Sequence, residues 1–380
     1  MIKYAYLLVL IMVSSYSNSS ELAYRNNEIV NPKALQSFFE ALKSLEMQKT
    51  KTVSIVHFGD SHIQADFMTG VVRKKMQDCF GNAGRGFVFP YKIAQTNGAL
   101  DIGFSYEGVW RHSDLLHSSN CDVGMSGYTL YASSNAKFTI DAAKKEGNYA
   151  AFTKMTFLTN QGSFSPTSSL CNFNFKTEKT RNVIYFDVRQ DSLEFAPVLE
   201  NGDLPDLQGI ILENDNPGVL YHAIGVNGST LAQYVNCQNF EKQAAVLNPN
   251  LVIVSFGTND GYRPSAGFCV SCIKENYEVI IAKIRSQNPN TAILLTAPSD
   301  HFYQKRDNPN AKKIADVLLE LAKEKNVAVW NWYDIMGGSN SILEWKNEGL
   351  ARRDLIHFTR EGYALQGELL YEALIHQYLN

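Results

Sequence analysis

The sequence predicts an α/β protein in which a parallel sheet flanked by helices is interrupted by a β-rich insertion. Three observations carry this. Short β-branched runs alternate with helical apolar periods near both ends of the 380-residue chain, while the middle loses helical periodicity and breaks into short aromatic segments. Turn-forming clusters, Asn97-Gly98 and Asp215-Asn216-Pro217-Gly218, bound that middle stretch.

The chain opens with Lys3, the apolar run Ala5 to Val13 and small polar residues through Ser20, the layout of a secretory signal. Residues 1–20 are therefore set aside as a signal peptide, too short for a spanning helix, and the protein is expected to be exported, periplasmic or extracellular. An uncleaved anchor is the alternative; no integral membrane segment is expected once the signal is removed. Asn31-Pro32 then precedes Leu35, Phe38, Phe39, Leu42 and Leu45, an amphipathic helix for the outside of the sheet.

Val53 to Phe58 reads as a buried strand, and Phe67, Met68, Val71, Val72, Met76 and Cys79 mark the next helix. Gly59-Asp60-Ser61 lies between them. A glycine there permits a sharp turn, which would place Ser61 at a strand's carboxyl end with its N–H at the start of a helix. Such a position suits a nucleophilic hydroxyl, although Gly-Asp-Ser alone is equally an ordinary helix cap. The glycines of Gly81 to Tyr91 come after a helix instead of a strand, so they predict a loop and not a dinucleotide site; Arg85 and Tyr91 could reach substrate.

Residues 99–216 form the expected insertion, a β-sandwich or jelly roll. Its Trp110, Tyr128 and Tyr131 read first as core, with sugar stacking as the alternative. The flanking pieces, 21–98 and 217–380, form the sheet domain. In the second piece, Tyr221 to Val226 is a strand leading to Asn227-Gly228, and Leu251 to Phe256 is another, ending at Gly257-Thr-Asn259-Asp260. Helix 273–286, strand 292–297, helix 311–325 and strand 327–331 complete the pattern.

Sites in such sheets gather at the carboxyl ends of strands, so Ser61, Gly228 and Asn259 are expected at one edge. The N–H groups of Ser61 and Gly228 with the Asn259 amide would make a three-donor oxyanion hole. Near the chain's end, Asp354-Leu-Ile-His357 places a carboxylate and an imidazole one turn apart. Asp354 would hold the Nδ1 proton and leave Nε2 for Ser61. Each residue also has a plain structural reading, as cap, turn glycine or Asx turn.

A net charge of -3 with no long basic run gives no footprint for nucleic acid. Six cysteines in an exported chain allow disulfides whose pairing spacing alone does not decide; Cys269 and Cys272 read as a local disulfide or two thiols. No metal signature is present, so no metal is assigned.

In these blocks the chain resembles the SGNH or GDSL-like hydrolases: Gly59-Asp-Ser-His62, Gly225-Val-Asn-Gly228, Gly257-Thr-Asn-Asp260 and Asp354-Leu-Ile-His357 occur in that family's order. The resemblance implies Ser61 as nucleophile, His357 as base, Asp354 as its partner and Gly228 and Asn259 as oxyanion donors, without a cofactor. His62 replaces the usual Leu. This variant and the long insertion, similar to a carbohydrate-binding module, resemble the bacterial O-acetylpeptidoglycan esterases. The implied activity is removal of O-acetyl groups from an extracytoplasmic glycan, with peptidoglycan the expected polymer. The alternatives are an O-acetyltransferase on the same scaffold, an acetyl esterase acting on plant polysaccharide, and a catalytically inert glycan-binding protein. A lipase is disfavoured, since no long apolar stretch suggests an acyl-chain channel.

Overall fold

The computed structural model describes residues 26–49, 51–117, 123–142, 150–168, 172–178, 181–199 and 202–380. The expected signal segment and Cys121 and Cys171 lie outside the described residues. Six strands form the central sheet: β1 (Ile29–Val30), β2 (Thr52–Gly59), β3 (Gly218–Gly225), β4 (Leu251–Ser255), β5 (Ala292–Thr296) and β6 (Ala328–Trp330). Their order is β1-β6-β5-β4-β2-β3. Every pairing is parallel except β1 with β6, where Ile29 faces Trp330. That two-residue edge strand is too short to show an alternation in sequence.

Apolar residues on successive strand positions face opposite ways, so one chain of residues feeds two cores. Val53, Ile55, Tyr221 and Ile253 pack beneath helices α1 (Gln36–Gln48), α2 (Phe67–Phe80) and α5 (Arg360–Leu379). Helices α2 and α5 approach closely because residue 367 is glycine: a Cβ there would lie 2.6 Å from the Met68 carbonyl oxygen. Val56, Phe58, Leu220, Ile224 and Val254 face the other way, toward α3 (Val270–Gln287) and α4 (Asn310–Glu324). Bulky aliphatic burial at some 25 cal/mol per Å² makes these two faces the main source of stability.

Residues 86–213 hold three antiparallel sheets. The five-stranded one runs Phe173–Glu178, Arg181–Gln190, Phe152–Leu158, Gly209–Glu213 and Gly86–Val88; a four-stranded and a three-stranded sheet complete the set. Strand Gly86–Val88 is thus drawn into this layer from before Asn97-Gly98, through Val88 opposite Ile210. Phe138, Phe157, Phe164 and Phe195 cluster between the sheets, with ring centroids 5.3–6.3 Å apart. Their apolar contacts run on without a break to Phe58 and Ile224 of the central sheet.

Trp110 stacks on Phe164, and Tyr128 is buried beside Phe89 and Tyr91, so both serve as core residues. Cys269 and Cys272 are joined in a disulfide at the start of α3. No described helix is long and apolar enough to cross a membrane.

Candidate active site

Strand β2 ends where it must turn sharply beneath β4. At Gly59 a Cβ would lie 2.3 Å from the Ser255 carbonyl oxygen, so only glycine lets the two strands approach. Asp60 then caps a single helical turn, Ser61–Gln64, by accepting the His62 N–H at 3.0 Å. Ser61 is the first residue of that turn. Its N–H has no acceptor among the described residues, as expected at a helix start.

Ser61 Oγ lies 3.0 Å from His357 Nε2. The imidazole comes from a turn that leads into α5, and its Nδ1 lies 2.9 Å from Asp354 Oδ2. Asp354 Oδ1 accepts the backbone N–H groups of Ile356 and His357 at 3.0 Å each, an Asx turn that fixes the carboxylate before it meets the ring. Burial pushes the Asp354 carboxyl upward, but those N–H groups and the imidazole outweigh it and hold it below its usual range. It is therefore ionised, and the ring's Nδ1 carries the proton, which leaves Nε2 to accept from Ser61.

Gly228 has φ +78°, a left-handed conformation that favours glycine, and its N–H has no acceptor among the described residues. Asn259 Nδ2 donates to the Ser229 carbonyl at 2.9 Å, which fixes the amide with one hydrogen still available. The five residues expected at the site are therefore brought to one sheet edge, from the ends of β2, β3 and β4 and from the turn before α5.

Several contributors were not read from the sequence. Gln64 donates to Thr96 Oγ1 at 3.0 Å and accepts the Asn227 N–H at 2.5 Å, so it ties the glycine loop to the turn that carries Ser61. His62 stands behind His357, ring centroids 5.2 Å apart, with Nδ1 3.0 Å from the Tyr363 hydroxyl. Burial, and then the neighbouring His357, push its pKa well down, so it is neutral. His62 Nε2, Ser299 Oγ, Trp332 Nε1 and Gln366 Oε1 are buried without partners among the described residues, around one cavity of about 30 Å³, a size that admits water.

Beneath the site, burial and, after it, the Asp260 charge raise Asp60 to about 7, and burial raises Asp260 to about 6. Neither is an ordinary surface carboxylate. His57 links Tyr221 (2.7 Å) to Ser255 (2.6 Å) and is kept neutral by burial, its pKa lowered to about 3. Each hydrogen bond here satisfies a polar group that β2 and β4 would otherwise strand in an apolar layer.

Two expectations for substrate contact fail. Arg85 is 4% exposed; its Nη2 lies 2.6 Å from Asp66 and its Nε 2.5 Å from Asp101, in a buried network with Arg73. Tyr91 is buried and donates to the Gly225 carbonyl at 3.0 Å. Both brace the site from behind. A polar residue in a glycine-rich loop gives no sequence signal of which way the loop folds. Among the described residues, no three or more His, Cys, Asp or Glu side chains gather as metal ligands would.

Residues 201–365 match the GDSL-like lipase/acylhydrolase family. No curated protein sequence matches the chain. Among solved structures, a peptidoglycan O-acetylesterase superposes with a TM-score of 0.71 at 21% identity, covering 90% of this chain and 96% of that one. A lipase/acylhydrolase from Enterococcus faecalis (20% identity, 41% of this chain, 75% of that one, TM-score 0.33) is similar over a smaller part. So is an acetyl xylan esterase, AlAXEase (17% identity, 41% and 81%, TM-score 0.34). Residues 201–365 are thus similar to the GDSL-like lipases and acylhydrolases, and the chain shares its mixed α/β fold with the peptidoglycan O-acetylesterase.

Proposed function

We propose that this GDSL-like esterase removes O-acetyl groups from an extracytoplasmic glycan, with peptidoglycan as the polymer, through an acetyl-enzyme on Ser61. The observation that carries the reading is the 3.0 Å approach of Ser61 Oγ to His357 Nε2 beside two unengaged N–H groups. The sugar substrate is carried over from the fold likeness to a peptidoglycan O-acetylesterase, which spans both the central sheet and the antiparallel layers.

Ser61 Oγ attacks the acetyl carbonyl carbon as its proton passes to His357 Nε2. The carbonyl oxygen becomes an oxyanion held by the Ser61 and Gly228 N–H groups and the Asn259 amide, each donor being worth roughly 3 kcal/mol in the transition state. The bond to the sugar oxygen then breaks, and that oxygen takes the proton from Nε2. A water attacks the acetyl-enzyme, gives its proton to the same nitrogen and releases acetate, and Ser61 recovers its hydrogen. Asp354 stabilises the imidazolium formed at both stages.

We read the antiparallel sheets, with strand Gly86–Val88 lent to them by the flanking domain, as a β-sandwich, similar to a carbohydrate-binding module, inserted at 99–216 into a hydrolase domain of 21–98 and 217–380. Residues 1–20 are read as an export signal. The deciding assay is acetate release from O-acetylated peptidoglycan against acetylated xylan. Faster release from peptidoglycan is expected, and Ser61→Ala should lose essentially all activity on both. Full activity in Ser61→Ala would sink the mechanism, and a preference for xylan would sink the substrate. Recovery of acetyl on a sugar acceptor instead of as free acetate would make the protein a transferase.

A further inference from the structure

The chain holds a second Asp-x-x-His turn. In Asp114-Leu115-Leu116-His117, Asp114 Oδ1 accepts the N–H groups of Leu116 and His117 at 2.9 Å each, and His117 Nδ1 lies 2.9 Å from the same oxygen. The imidazole side chain is 82% exposed. With Nδ1 held by the carboxylate, Nε2 is the ring nitrogen that remains for an outside group.

This turn is fastened to the oxyanion loop. The Leu115 N–H donates to the Gly127 carbonyl at 2.8 Å. Gly127 in turn lies so close to Val226 that a Cβ on it would be 2.3 Å from that side chain. Two residues on, Leu116 Cδ1 stands 3.6 Å from where a Cβ on Gly228 would be, and no other described atom outside the adjoining residues comes within 4 Å of that point. Leu116 is therefore the side chain that flanks Gly228 on its open face. The catalytic turn sits at the other end of the same row, tied through the Phe302 N–H to the Leu355 carbonyl beyond β5. The nucleophile lies between the two.

We propose that the Asp114–His117 turn is a substrate-binding arm. Leu116 walls the acyl side of the site and restricts it to short acyl groups, and His117 Nε2 hydrogen-bonds a hydroxyl of the sugar that carries the ester. The inference rests on the reading of the protein as a glycan O-acetylesterase. It assigns the β-rich layers a direct part in the site, through one turn.

Two ratios test it. In Leu116→Ala, kcat/KM for an aryl butyrate relative to the aryl acetate should rise about tenfold, the effect expected when an apolar pocket gains room for a methylene or two. Leu116→Trp should lower the same ratio. In His117→Ala, the loss of kcat/KM should be about tenfold greater on O-acetylated glycan than on the aryl acetate and should appear in KM, with His117→Gln recovering part of it. An acyl ratio unmoved by both Leu116 substitutions, or equal losses on the two substrates in His117→Ala, would overturn the arm. Wild-type protein that cleaves aryl esters but no glycan acetate would count against the sugar reading, while the acyl ratio would still decide the role of Leu116.

Discussion

The turns at 114–117 and 354–357 share their spacing, their Asx turn and their carboxylate–imidazole contact, yet among the described residues only the imidazole of the second meets a serine. Local sequence is thus enough to build a paired imidazole, because a carboxylate that captures two backbone N–H groups brings a side chain three residues on within reach. It does not decide what that imidazole does. The difference lies in the neighbouring element. After the 354–357 turn, Thr359 accepts the Gly362 N–H and caps α5, which docks on α2, the helix that follows the Ser61 turn. The 114–117 turn instead ends a β-strand and leans on the oxyanion glycine.

Substitutions at both imidazoles give the widest separation. His357→Ala should lower kcat for an aryl acetate by about a thousandfold or more, since the general base is gone, whereas His117→Ala should cost under about tenfold on that substrate. Comparable losses would mean that the two turns cooperate in proton transfer. Next comes the element that lies between them: Asn259→Ala removes one oxyanion donor and should cost about a hundredfold in kcat with little change in KM. A pure KM effect would make the amide a ground-state binder. A smaller loss, of order tenfold, is expected for His62→Leu, which keeps apolar volume but deletes the Tyr363 contact behind the catalytic ring. No change would show that α5 alone positions His357.

The smallest effect concerns stability. His222 faces the antiparallel layers, is 1% exposed and has no partner on either ring nitrogen among the described residues, and burial lowers its pKa to about 3. Its unfolded imidazole binds a proton below about 6.5 while the folded one stays neutral, so folding stability falls as pH drops from about 6.5 to 3. Denaturant midpoints of His222→Phe should fall less steeply over that window than those of the parent.

Much of the site was legible because the chemistry sits at strand ends. Gly59, Gly228 and Asn259 each come after an apolar run whose length and β-branching announce a buried parallel strand, and such ends converge by topology. Two pieces were harder. The Asp114–His117 spacing went unread beside Asp354–His357, and which such turn is brought back over β2 is a tertiary matter that spacing does not encode. Arg85 and Tyr91 looked like ligand contacts but turned inward, because Asp66, Asp101 and the Gly225 carbonyl offered them partners from distant positions. Helix limits erred by a residue or so at α4, where Asn310 starts the helix expected at 311, and by three at α3, where the Cys269–Cys272 bridge sits at its start.

Ser61 and His357, which meet at 3.0 Å, are separated by 296 positions along the chain. A ribosome therefore releases the first of them long before the second exists. On the proposed mechanism the growing polypeptide stays silent toward esters until the turn before α5 settles beside Ser61. A stop between Trp330 and Asp354 would leave every strand described above in the chain and, on the proposed mechanism, remove the base that Ser61 needs.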